Sequence, residues 1–235
     1  MILLKQVDEH EATMRPPRSS EAVYLKLKQR ILDNGYPPGA QILESEIASE
    51  FEASRTPVRE AFVQLQRDGL LEIVPRHGVR ISALSPGDMR EIYEILMSLE
   101  PTAVELLAAR QPGREELASL LHACDAMEAA LSGVTPDLVA WADADELFHM
   151  RLAQLCGNKR LASMIMTVWD QAHRARMFTL SLRPLPKEST AEHRTVVEAI
   201  LAGDSERARN LYFAHRKRGG AELTSIIERH GIQRL

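Results

Sequence analysis

Cysteine is nearly absent from this 235-residue chain, which has two, Cys124 and Cys156. Two cysteines cannot build the cross-links of a small secreted scaffold. Both fall inside helical patterns and read as free thiols in a reducing compartment. Long apolar runs are missing too. No stretch approaches the roughly 18 uninterrupted apolar residues of a membrane span. The first residues also lack the basic-then-apolar order of a secretion signal, so the expected location is the cytosol, with no membrane partner. Nor is there an excess of positive charge. Lys plus Arg number 29 against 33 Asp plus Glu, a net of −4, and the first 83 residues hold 11 against 12. A global basic field is thereby excluded. Any affinity for nucleic acid must come from locally clustered arginines and from two copies acting together. Disorder is excluded by an apolar fraction of 45%, enough for a small module and a larger core.

What is present starts with the run from Gln41 to Ser82, QILESEIASEFEASRTPVREAFVQLQRDGLLEIVPRHGVRIS. Ile42, Ile47, Ala48 and Phe51 give a short helix its apolar stripe. Ser54 stands where an N-cap would sit, and Thr56 with Pro57 opens a second helix where a missing N–H costs nothing. Val58, Ala61, Phe62 and Leu65 then recur at helical spacing as far as Gly69. Ile73 and Val74, the basic turn Pro75-Arg76-His77-Gly78, then Val79 and Ile81 read as two strands of a hairpin. Helix, turn, helix and basic hairpin in that order make a winged helix-turn-helix. Its second helix holds Arg55, Thr56 and Arg59 off the apolar face, where they can meet a major groove. A preceding helix with Val23, Leu25, Leu27, Ile31 and Leu32 is expected to pack under it. Residues 1–19 read as a flexible arm and residues 83–87 as a linker.

From Asp88 onward no strand signal occurs. The helical period predicts six helices, at 86–110, 113–132, 136–156, 158–182, 187–202 and 204–229, broken by Gly, Pro and Asn. They make an antiparallel all-α bundle, so the fold class is mainly α, and a bundle core suits a ligand or metal held between facing helices. Asp145 and His149 are four apart and project from one helix face. His193 and His215 belong to the last two helices. One carboxylate and three imidazoles suit zinc, nickel, manganese or iron. Trp169, His173, Arg176 and Leu180 follow one line on the fourth helix, which makes Arg176 a candidate effector-binding residue. Met164, Ile165, Met166, Val168 and Met177 read as core.

Two resemblances extend this reading. SRTPVREAFVQLQRDGLL, preceded by YPPGAQILESEIASEFEA and followed by PRHGVRIS, is similar to the DNA-binding domain of the GntR family of bacterial transcriptional regulators, over residues 20–83. It implies DNA contacts from Ser54, Arg55, Thr56 and Arg59 in the recognition helix and from Arg76, His77 and Gly78 in the wing. Ser45 departs from the pattern, standing where some members carry an Arg that touches DNA. ADELFHMRLAQLCGNKRL, with AEHRTVVEAILAGDSERARNLYFAHR downstream, resembles the FCD effector-binding domain of the FadR subfamily, over residues 86–230, in its six-helix VanR-type form. Asp145, His149, His193 and His215 stand where metal-binding members hold a divalent ion, and zinc is the first expectation. Leu96, four residues before Glu100, replaces an Arg that commonly faces the ligand pocket.

The implied protein is a ligand-responsive regulator, with repression the expected default. It would bind double-stranded, palindromic operator DNA as a homodimer and sense a small organic acid at the metal. A regulator whose metal is purely structural, or is itself the sensed species, is the alternative. A metal-dependent hydrolase is the third reading, and no further acid–base residue at motif spacing supports it.

Overall fold

A computed structural model describes residues 19–83 and 85–231; the arm expected at 1–19 lies, apart from Ser19, outside them. Helix α1 (Ser20–Leu32) starts at Ser19, whose Oγ accepts the Ala22 N–H at 3.2 Å. Val23, Leu27 and Ile31 form its buried stripe and pack beneath α3 (Arg55–Arg67). Leu25 was expected in that stripe but is 56% exposed, because the spacing of four that aligns the other three leaves it on the far side. A short α2 (Glu44–Glu50) precedes α3. Val58, Ala61, Phe62 and Leu65 are buried at helical spacing along α3. Gly69 then turns the chain at φ +73°, a conformation that costs glycine nothing.

The wing has three strands where two were expected. β2 (Leu71–Val74) and β3 (Gly78–Ile81) form the hairpin, and β1 (Gln41–Ile42) pairs antiparallel with β3 in the order β1-β3-β2. Ile42 therefore belongs to a strand, opposite Val79, and not to the first helix. Two residues carry too little periodicity to reveal a strand whose partner is distant in sequence. Gly78 sits at φ +79°, and a Cβ there would collide with the Ile42 carbonyl oxygen, so the β1 crossing needs glycine at this point.

Six helices of the described residues make up the second part. α4 (Pro86–Ala109) opens in a reciprocal cap: Ser85 Oγ accepts the Asp88 N–H at 3.1 Å, and Asp88 Oδ2 accepts the Ser85 N–H at 2.7 Å. The helix thus begins inside the segment read as linker. α5 (Ala118–Leu131) begins five residues later than expected, because a turn follows Gly113 and its carbonyl accepts the Leu117 N–H. α6 (Leu138–Leu155) and α7 (Lys159–Phe178) are capped by Asp137 and Asn158. A separate 3-10 turn, Leu180–Leu182, replaces the last turn expected of α7. α8 (Lys187–Leu201) and α9 (Ser205–Arg229) complete the bundle. Its main core joins α4, α5, α6, α8 and the first part of α9, and it encloses Cys124 and Cys156 as buried free thiols. On α7, Ile165 is core, whereas Met164 is 57% exposed and does not join it.

Leu96 is fully buried, in a smaller core where α4 meets Ala172 and Ala175 of α7 and Leu223 and Ile227 of α9. Its position is taken up by apolar packing. Helix α7 also reaches the winged helix. Lys28 Nζ lies 2.5 Å from Asp170, Gln171 Nε2 donates to the Asp68 carbonyl at 3.1 Å, and Arg174 Nη1 donates to the Ser82 carbonyl at 2.9 Å. Gln171 comes so near Gly69 that a Cβ there would stand 2.7 Å from its amide nitrogen.

Gly78→Ala is expected to cost at least about 1–3 kcal/mol in the winged helix, from left-handed strain plus displacement of β1. Urea unfolding followed by fluorescence checks this, and a midpoint equal to wild type would show that the β1 crossing tolerates a side chain.

Candidate functional site

The DNA-reading residues expected from sequence share one outer face. Ser54, Arg55, Thr56 and Arg59 are exposed at the start of α3, and Arg76 and His77 are exposed at the wing tip, with Gly78 partly covered. A cleft of about 520 Å³ between α3 and the wing is bordered by Arg55, Arg59 and Arg76. Ser54 has the backbone of an N-cap, yet its hydroxyl makes no capping bond. That leaves the hydroxyl free for a ligand. Two contacts were not legible in the sequence. Gln66 Oε1 accepts the Ile73 N–H at 3.0 Å and ties the wing to α3. Glu44 holds Arg59 at 2.5 Å and Arg55 at 3.8 Å.

The second group lies in the bundle. α6 brings Asp145 and His149 to its centre, α8 brings His193 and α9 brings His215, all buried. One ring nitrogen from each histidine lies within 4.8 Å of the others. Asp145 Oδ1 is 3.5 Å from His149 Nε2 and 3.7 Å from His193 Nε2. Three histidines from three helices thus gather at one point, with Asp145 beside two of them, His149 and His193.

The hydrogen bonds test whether this point fits a cation. Arg176 Nη2 binds Asp145 Oδ2, while Oδ1 is buried without a hydrogen-bond partner. One carboxylate oxygen is therefore anchored and the other left for a ligand-type bond. His215 Nδ1 lies 2.7 Å from Glu192 Oε2, which fixes the proton on Nδ1 and turns the Nε2 lone pair to the centre. Glu192 is in turn held by Arg218 at 2.5 Å. Two uncharged imidazoles, His149 and His193, face each other at 3.3 Å through Nε2. His193 Nδ1 is buried without a partner, and His149 differs from His215. Its Nδ1 accepts from Arg216 Nη2 at 2.9 Å and lies 2.6 Å from Tyr212 Oη, which puts the neutral ring's proton on Nε2. Binding a cation through Nε2 requires that proton to pass to Nδ1 and Arg216 to give way. With that adjustment the donor set, one carboxylate and three neutral imidazoles, fits a divalent ion.

Electrostatics agree. Burial, reinforced for His149 by Arg216 and for His193 by His215, holds both rings well below the ordinary histidine range. Burial lowers His215 as well, partly offset by its bond to Glu192. Burial alone would raise the Asp145 carboxyl, but Arg176 and His149 keep it well below the usual carboxylate range. Neutral imidazoles and an ionised carboxylate are the forms that ligate metal.

Arg176, the candidate for gripping an acid, is 9% exposed. It stacks over Trp169, with its guanidinium carbon 4.9 Å from the ring centroid. A cavity of about 460 Å³ adjoins the cluster, walled in part by Asp145, Arg176, Arg183, His215, Arg216 and Arg218. Sequence reading missed Arg183, Arg216 and the buried Glu100 that Arg216 binds through Nε and, at 2.6 Å, through Nη2. The one available signal was the position of Arg216 directly after His215.

A winged helix joined to a helical bundle with an inward-facing polar centre is the build of a DNA-binding regulator. Residues 19–81 match the bacterial regulatory proteins of the gntR family, and residues 91–218 match the FCD domain. The chain belongs to the GntR family of transcriptional regulators, of the type that carries an FCD domain. These are regulators and not enzymes. A regulator in the TAR-I ttuE-ttuC' intergenic region of Agrobacterium vitis is 47% identical over 56% of this chain and 77% of its own. YdhC of Bacillus subtilis is 31% identical over 87% of this chain and 91% of its own. The repressor GlaR of Escherichia coli is 28% identical over 82% and 90%. In fold, the chain is similar to a GntR regulator of Rhodococcus sp. RHA1, with a TM-score of 0.74, 24% identity, and coverage of 88% of this chain and 97% of that one.

Because four buried histidines, His149, His173, His193 and His215, have depressed values, the unfolded chain binds protons first as pH drops below 6.5. Their contribution to stability is complete above that pH and is lost as pH falls through it. Glu146, raised by burial to about 7, opposes them, as do Glu100 and Asp170, which burial also raises. The thermal midpoint of chelator-treated protein should therefore fall between pH 7.5 and 5.5, and a midpoint that rises would contradict the neutral-histidine assignment.

Proposed function

We propose that this regulator acts as a homodimer on a palindromic double-stranded operator, represses from it, and responds to a small organic acid at a divalent-metal site. Asp145, His149, His193 and His215 would hold the ion. Zinc is the first expectation and nickel, manganese or iron the others. Bound there, the ion would supply positive charge and open coordination positions for a carboxylate. The observation that carries this reading is the buried, unpartnered Asp145 Oδ1 facing two imidazoles beside an arginine-walled cavity.

The division of labour assigns DNA recognition to residues 20–83 and effector binding to 86–230. Ser54, Arg55, Thr56 and Arg59 would enter the major groove, while Arg76, His77 and Gly78 follow the flanking backbone. Two recognition helices on a symmetric dimer would require a symmetric site. Arg176 would meet the acid from the wall while keeping Asp145 ionised. An effector alters DNA binding only as far as it binds two domain arrangements unequally. The contacts of α7 with the winged helix and with the cavity supply a physical route for that difference. The cytosol is the compartment where such a protein meets DNA. No helix of the described residues is long and apolar enough to cross a membrane.

Arg59→Ala is expected to weaken operator binding by about 1–3 kcal/mol and to relax specificity at one base pair if the guanidinium reads a base. Fluorescence anisotropy on operator variants measures this, and unchanged affinity removes Arg59 from the interface. For the metal site, elemental analysis of purified protein should find about one divalent ion per chain, and His193→Ala should lose most of it while still binding DNA. Full occupancy in that variant would overturn the ligand set.

A further inference from the structure

Three of the cavity's guanidiniums are already matched to carboxylates. Arg176 binds Asp145, Arg216 binds Glu100, and Arg218 binds Glu192 at 2.5 Å and Glu222 at 3.3 Å. Among the described residues Arg229, which is exposed, and Arg183 are not so matched, and of the two Arg183 has a buried nitrogen without an acceptor. Among the described residues Arg183 makes no ion pair: its Nε donates to Thr179 Oγ1 at 3.3 Å, and its Nη2 is buried with no acceptor. That Nη2 is an unsatisfied donor on a half-buried side chain whose charge Glu222 and Asp145 offset only from a distance, and the surrounding fold bears a cost for keeping it.

The backbone keeps Arg183 where it is. It caps the 3-10 turn in extended conformation, at φ −89° and ψ 151°, and precedes Pro184. A residue before proline is sterically confined to that region. With Pro186 two residues beyond, the segment has few alternative conformations, and both prolines line the same cavity as Asp145 and His215. Burial, with Arg176 nearby, lowers the Arg183 value, which marks a charge seeking an anion.

We infer that Arg183 is the specificity-determining contact for a second acidic group on the effector, so that the site takes a small dicarboxylic acid in preference to a monocarboxylic one. This rests on the acid-sensing reading above. One carboxylate would engage the Asp145 and histidine centre, and the other would supply the acceptor that Arg183 lacks. The two attachment points lie on different elements, α6 with α8 and α9 on one side and the Leu180–Pro186 segment on the other. A two-ended anion spans them and a one-ended acid of equal length leaves Arg183 unsatisfied. Selectivity of this kind is large because the penalty falls on a buried polar group.

The test is calorimetric titration of zinc-loaded, full-length protein with succinate, malate and glutarate, and with butyrate and 2-hydroxybutyrate as one-ended counterparts. Wild type is expected to bind at least one diacid more than about tenfold tighter than its counterpart. Arg183→Gln should erase that preference while leaving metal content unchanged, and Arg183→Lys should restore part of it. If the diacid preference survives in Arg183→Gln, or wild type shows none, the inference falls and acid sensing stands. If the protein takes up no zinc, or no acid binds, both fall.

Discussion

A carboxylate enclosed by protein must be surrounded by positive charge or good donors, and the placing of Asp145 governs the rest of the bundle. Arg176 meets one of its oxygens, which fixes how α7 crosses α6. His149 and His193 approach the other, which fixes α8 against α6. Arg216, brought in beside His215 by α9, would be a second uncompensated charge without Glu100 on α4. Each buried ion thus obliges another helix to supply its partner. Apolar residues of similar volume would hold such a bundle together at least as well. A polar centre kept at that cost serves binding more than stability.

Legibility in the sequence followed the range of the interaction. The recognition helix was readable because its apolar residues repeat locally, and the hairpin because Pro75 to Gly78 have the chemistry of a turn. Asp145 and His149 could be paired because four residues separate positions on one helix face. The β1 strand escaped notice because its register is set by β3, and Leu25 and Met164 show that an apolar residue near a stripe need not lie in it. Arg216 stood among the basic residues His215 to Arg218, marked only by following His215. Its partner, Glu100, is 116 residues away. Arg183 had still less to mark it, since its distinguishing property is the lack of a partner.

Helix α7 connects these two levels. Trp169 and Arg176 face the polar centre, while Asp170, Gln171 and Arg174 reach α1, the end of α3 and the residue that follows β3. Both sets lie within about two turns of a single helix, which transmits displacement as a rigid rod. Arg174 is itself largely buried, and its contact with the Ser82 carbonyl sits where the winged helix gives way to α4. A small rotation of α7 would change contacts at both ends together.

Glu44 gives the arginines proposed to face DNA, Arg55 and Arg59, a counterion that belongs to the protein. It lies on α2, beside Arg59 and within reach of Arg55, so neither guanidinium meets solvent as a free charge. A phosphate approaching Arg59 competes with a carboxylate that cannot diffuse away. Each arginine then cancels less than a full phosphate charge, and fewer cations leave the DNA than the count of arginines implies. Affinity should accordingly fall less steeply with added salt than about 0.9 logarithmic units per arginine engaged. Nonspecific DNA, which offers only phosphates, is the substrate most penalised by this built-in anion, so an acidic side chain on the reading face sharpens discrimination in a protein with no basic surplus.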